Sequence, residues 1–108
     1  MGNLTFEIMH EMQRELHERY RDKWRPLSPE IGRDKLLWMM IEAGEMADII
    51  KKQGDEKIME SGEVRDHFIE EMCDTLMYFN DVMRCYSITP EELERIYFAK
   101  HQRNMERW

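Results

Sequence analysis

The chain has 108 residues, which leaves room for a single domain spanning 1–108, and 42% hydrophobic residues, among them eleven Met, three Trp, four Tyr and four Phe, are enough to build one core. A formal net charge of -7 with 36% charged residues excludes non-specific binding to nucleic acid or to an anionic membrane surface, although an acidic chain can still hold phosphates through a metal ion. No apolar run approaches the ~20 residues of a membrane span and the N-terminus lacks the basic and apolar regions of a signal peptide, so a cytoplasmic protein is expected.

In chain order, Phe6, Met9, Leu16 and Tyr20 recur at near-helical spacing behind Thr5, a good N-cap, and predict a first helix over 6–23. Pro26 and Pro29 break it, and Ser28 followed by Pro29 and Glu30 is a helix start with proline at the first helical position. The second helix is predicted over 29–53, closed by Gly54 in a left-handed conformation. A polar connection follows, with at most a short helical turn around Ile58 and Met59. A third helix is predicted over 64–84. Thr89 and Glu92 form a capping box around Pro90, which starts a fourth helix running to 106. No alternating β pattern and no repeat at solenoid periods is present, so the class is all-α with four main helices. Cys73 and Cys85 lie too far apart along one predicted helix to bond to each other, and no second pair offers a zinc site.

Two of these helices carry acid inside their apolar stripes. At about 100° per residue, Glu42 and Glu45 fall on the side of Trp38, Met46 and Ile49, and Glu71 and Asp74 fall on the side of Val64, Thr75, Tyr78 and Val82. Asp66, Glu70 and Asp81 fall elsewhere and read as solvated charges. Paired carboxylates at i,i+3 also arise by chance on acidic helices, but both pairs here interrupt apolar faces on consecutive helices whose short connection makes them antiparallel neighbours. Two ionised carboxylates ~4 Å apart repel by roughly 4 kcal/mol at an effective dielectric near 20. Four of them facing one another call for a cation, and an all-oxygen donor set favours Mg²⁺, with Mn²⁺ as a substitute.

At these residues the sequence resembles the MazG-like superfamily of all-α nucleoside triphosphate pyrophosphohydrolases, which includes dimeric dUTPases, dCTP pyrophosphatases and phosphoribosyl-ATP pyrophosphohydrolases. Glu42-Ala43-Gly44-Glu45 matches its ExxE element and Glu71-Met72-Cys73-Asp74 its ExxD element, embedded in EAGEMADIIKK and EEMCDTLMYF. Lys100, Asn104 and Arg107 resemble its Kx3Nx2R element, and their i, i+4, i+7 spacing lines two cations and an amide along one helical stripe. The resemblance covers most of the chain from Pro29 onward. It implies a four-helix bundle assembled as a homodimer or homotetramer, with Mg²⁺ held by Glu42, Glu45, Glu71 and Asp74. It further implies hydrolysis of a nucleoside triphosphate between the α and β phosphates, with Glu42 or Glu45 as the base, as nucleotide-pool house-cleaning.

Lys100, Asn104, Arg107 and Tyr78 are then expected to bind phosphate, and Trp24, in the proline-bounded loop, to stack on the base. Trp38 reads as core. Lys52 stands where dCTP-preferring relatives carry a Trp, so cytosine specificity is not carried over. The resemblance leaves a phosphoribosyl-ATP pyrophosphohydrolase-like or dUTPase-like activity as alternatives. A di-iron protein would need two Glu-x-x-His pairs, and only Glu7 with His10 has that spacing. A non-catalytic helical module binding a partner through its methionines is the third reading.

Overall fold

The fold is that of a computed structural model, described for residues 2–107. Side chains at the helix ends explain where the elements begin. Thr5 accepts a hydrogen bond from the Ile8 N–H at 3.1 Å and opens α1 (Phe6–Arg19). Ser28 accepts from the Ile31 N–H at 3.3 Å and opens α2 (Pro29–Gln53), with proline in the first turn as expected. Gly54 closes α2 at φ 84°, in the left-handed region that favours glycine. The connection that follows is more ordered than the sequence suggests, because Asp55–Met59 forms a short helix, α3. Next comes α4 (Glu63–Cys85). The Thr89 hydroxyl accepts from the Glu92 N–H at 3.2 Å and the Glu92 carboxylate accepts from the Thr89 N–H at 3.0 Å, a reciprocal capping box that opens α5 (Pro90–Arg107).

The class is all-α, and the described residues form the four main helices expected and the short α3 between the second and third of them. Among the described residues there is no strand, and no helix is long and apolar enough to cross a membrane. The first helix ends earlier than its periodicity suggests, at Arg19 instead of residue 23. The Lys23 and Trp24 N–H groups both donate to the Tyr20 carbonyl at 2.9 Å, so the chain curls into a turn that brings Trp24 back onto Tyr20.

The main packed pair is α2 with α4. Gly32 near the start of α2 lies against Cys85 and Tyr86 at the end of α4, and the end of α2 shares a groove with Glu63 and Val64, so the two run antiparallel. A Cβ on Gly32 would stand 2.5 Å from the Tyr86 ring and 3.1 Å from the Cys85 Cβ, which is why this crossing carries glycine. Helix α1 packs on α4, and α5 packs against α1 and no other helix.

One polar clamp ties the three packed helices together. The Gln13 side-chain amide donates to Asp81 Oδ1 at 2.8 Å, and Lys35 Nζ meets Asp81 Oδ2 at 3.3 Å. Asp81 is only 6% exposed, which corrects its reading as a solvated charge. It lies seven residues after Asp74, and seven residues at 3.6 per turn return to the same stripe of a helix.

Candidate metal centre

Midway along the antiparallel pair, α2 contributes Glu42 and α4 contributes Glu71 and Asp74. One oxygen from each of these three lies within 4.8 Å of the others, and all three side chains are half-buried. Burial follows from register: Glu42 sits on the α2 face turned toward α4, and Glu71 and Asp74, one turn apart, sit on the answering face.

The electrostatics show the cost of that convergence. The Glu42 carboxyl is held above the usual carboxylate range, first by a hydrogen bond to Glu71, then by burial, then by the Glu71 charge. Asp74 is also raised, by burial and then by the charges of Glu42 and Glu70. Glu71 Oε2 is buried with no hydrogen-bond partner. Its other oxygen, Oε1, lies 3.2 Å from His67 Nε2. A cluster of three carboxylates with one orphaned buried oxygen could hold a metal ion, because a cation answers both the repulsion and the missing partner.

Glu45 does not join the three. It is exposed one turn further along α2, in a groove of about 390 Å³ shared with Asp48, Lys52, Glu63 and His67. Among the described residues no other group of three or more His, Cys, Asp or Glu side chains brings its ligand atoms this close together.

An aromatic cleft of about 250 Å³ lies beside the carboxylates, walled by Trp24, Trp38 and Tyr78 and including His17, Asp34 and Lys35. Trp24 stacks on Tyr20, with centroids 5.2 Å apart and an interplanar angle of 29°, and meets the His17 ring edge-on at 5.8 Å. Trp38 is 54% exposed rather than core, and its ring stands 6.4 Å from that of Tyr78. The Tyr78 hydroxyl is pushed up from its ordinary pKa by burial first and then by the negative charges of Glu42, Asp81 and Asp74, so it remains a hydrogen-bond donor at neutral pH. Trp24 and Tyr78 are thus brought to one cleft at the edge of the acidic cluster. Lys35 lines it as well, with Asp81 as its ion-pair partner at 3.3 Å, and the signal for Asp81 was its seven-residue offset from Asp74.

The remaining expected site residues lie elsewhere. Lys100 and Arg107 are exposed on α5 and Asn104 is half-buried with its Oδ1 enclosed and unpaired. Because α5 packs only on α1, a single chain does not bring this stripe to α2 and α4. No family model, curated protein or solved structure matches the chain.

Proposed function

We propose that this protein is a Mg²⁺-dependent nucleoside triphosphate pyrophosphohydrolase of the MazG-like type, acting in nucleotide-pool house-cleaning. The observation that carries the reading is the convergence of Glu42, Glu71 and Asp74 from two antiparallel helices, beside a cleft sized for an aromatic ring. Glu42, Glu71 and Asp74 would hold the cation, which would supply Lewis-acid stabilisation of the developing phosphate charge and acidify the attacking water.

The chain's own residues do the rest. Glu45, outside the carboxylate triad and open to solvent, accepts the proton of a water that attacks the α-phosphorus. The bond between the α-phosphorus and its bridging oxygen breaks, and pyrophosphate leaves with that oxygen. Tyr78 donates to a phosphate oxygen near the carboxylates, and Trp24 offers a ring face to the base. Lys100, Asn104 and Arg107 clamp the outer phosphates from a second copy of the chain, since α5 of the same chain packs away from the site. The working form is a homodimer or a homotetramer.

A panel of canonical and modified nucleoside triphosphates, with Mg²⁺ and separate detection of pyrophosphate and orthophosphate, tests the reaction. The expected products are a nucleoside monophosphate and pyrophosphate. Orthophosphate as the released product, or no turnover of any member of the panel, overturns the assignment.

A further inference from the structure

The aromatic cleft carries a charge whose placement does not follow from the acidic cluster. Lys35 Nζ lies 5.6 Å from the Trp24 ring centroid and 5.6 Å from that of Tyr78, within the ~6 Å at which a cation is held by an aromatic face. It is also paired with Asp81 at 3.3 Å, and Asp81 is fixed from its other side by Gln13 at 2.8 Å. The ammonium is therefore pinned at the floor of the cleft, between two rings, by a carboxylate that is itself almost fully buried. The neighbouring ion pair of Arg25 with Asp34, at 2.8 Å, is exposed and belongs to the rim.

We infer that Lys35 is a specificity-determining residue, selecting a planar heterocycle that presents a carbonyl oxygen, rather than an amino group, at the edge opposite its sugar. This rests on the nucleotide reading of the site. The cleft of about 250 Å³ is smaller than the ~300–1,000 Å³ pockets that enclose whole ligands, so it admits one ring system while sugar and phosphates stay outside, toward Glu42 and Asp74. The edge that reaches the floor is then the edge remote from the glycosidic bond. In uracil and hypoxanthine that edge bears a carbonyl; in cytosine and adenine the same position bears an amino group. A lysine ammonium has three donors and no acceptor. One donor is directed to Asp81, and another is free to meet a carbonyl. Against an amino group it sets donor against donor, so a site that meets a carbonyl with a pinned donor discriminates against the amino analogue.

The test uses nucleosides, not triphosphates, in metal-free buffer with chelator, so that it reads the cleft independently of hydrolysis. Uridine is compared with cytidine, and inosine with adenosine, by ligand-observed NMR titration against the whole chain. Uridine and inosine are expected to bind about tenfold or more tightly than their amino counterparts, the size of one hydrogen bond to a charged group. Equal affinities, a reversed order, or no binding of any of the four overturns the inference. The Lys35→Gln variant replaces a donor-only group by an amide that both donates and accepts, and the preference is expected to shrink to about threefold or less. A Lys35→Gln chain that keeps the full preference removes the assignment to Lys35. If loss of the ion pair unfolds that variant, the double change Lys35→Gln with Asp81→Asn leaves no buried charge unpaired and gives the same readout. A carbonyl preference that persists in a protein hydrolysing no triphosphate separates failure of the catalytic reading from failure of this one.

Discussion

Glu42 holds two opposed tendencies in one side chain. In the absence of a cation it and Asp74 stay protonated to higher pH than free carboxylates do. The folded chain then binds more protons than the unfolded one. The stability these groups confer is complete below the unfolded carboxylate range near pH ~4 and is lost as pH rises through their raised folded values. Glu42→Gln removes an ionisation that the fold resists. In chelator, its melting temperature is expected to match that of the wild type near pH 4 and to exceed it progressively toward pH 7. Solvent screening limits the gain to about 0.5 kcal/mol, or about 2–4 °C. A sharp fall in metal-free melting temperature would instead make Glu42 a structural residue. With Mg²⁺ the order is expected to reverse, because an ion that binds only the native state stabilises it and the variant has lost a ligand. Turnover by Glu42→Gln is expected to drop by roughly 100-fold or more, since loss of groups that merely orient ligands already costs about 10–100-fold.

Three helices meet at Asp81, and their association is where a single substitution does most structural damage. Asp81→Ala leaves Lys35 with no anion and Gln13 with no acceptor, and it is expected to destabilise the fold by about 3 kcal/mol, measured by urea unfolding. An unchanged midpoint would show that the clamp is dispensable. This clamp also marks where the sequence becomes hard to read. Helix starts at Thr5, Ser28 and Thr89 were legible because each is decided within three residues, by a side-chain oxygen and a nearby N–H. The pairing of Glu42 with Glu71 and Asp74 was legible because the acidic register coincides with the apolar register on both helices. The clamp involves residues 13, 35 and 81, whose meeting depends on how α1 crosses the other two helices, and no local pattern encodes that crossing. The early end of α1 has the same origin: Trp24 turns back onto Tyr20 because the prolines beyond hold the chain extended, while the apolar spacing through Tyr20 reads as continued helix. Glu45 parted from the other carboxylates because i,i+3 places two residues about 60° apart on a helix, enough for one to enter the cluster and the other to face solvent.

As a single chain the molecule is too open for its size. Its accessible surface is 8852 Å² for 13.3 kDa, against about 6,500 Å² expected of a compact monomer of that mass. The radius of gyration is 16.3 Å, where about 13 Å is usual for this length. The excess surface is apolar in good part: Leu36, Leu37, Met40 and Ile41 are exposed on α2, and Ile96, Tyr97 and Phe98 on α5. A surplus on the order of 2,000 Å² per chain is what an obligate homodimer interface removes from water. If α5 of one chain completes the site on α2 and α4 of the other, two crippled chains are expected to rescue each other. In a mixed dimer of Glu42→Gln and Lys100→Met chains, one site combines both defects, while the other takes its carboxylates from the Lys100→Met chain and its α5 stripe from the Glu42→Gln chain and is intact. With random pairing half the dimers are mixed, so activity on the order of a quarter of wild type is expected after the two inactive proteins are unfolded together and refolded. Light scattering on the same sample must give a multiple of 13.3 kDa. Should α5 act on its own chain, every site in the mixture carries one defect or the other, and the refolded sample stays as inactive as its parents.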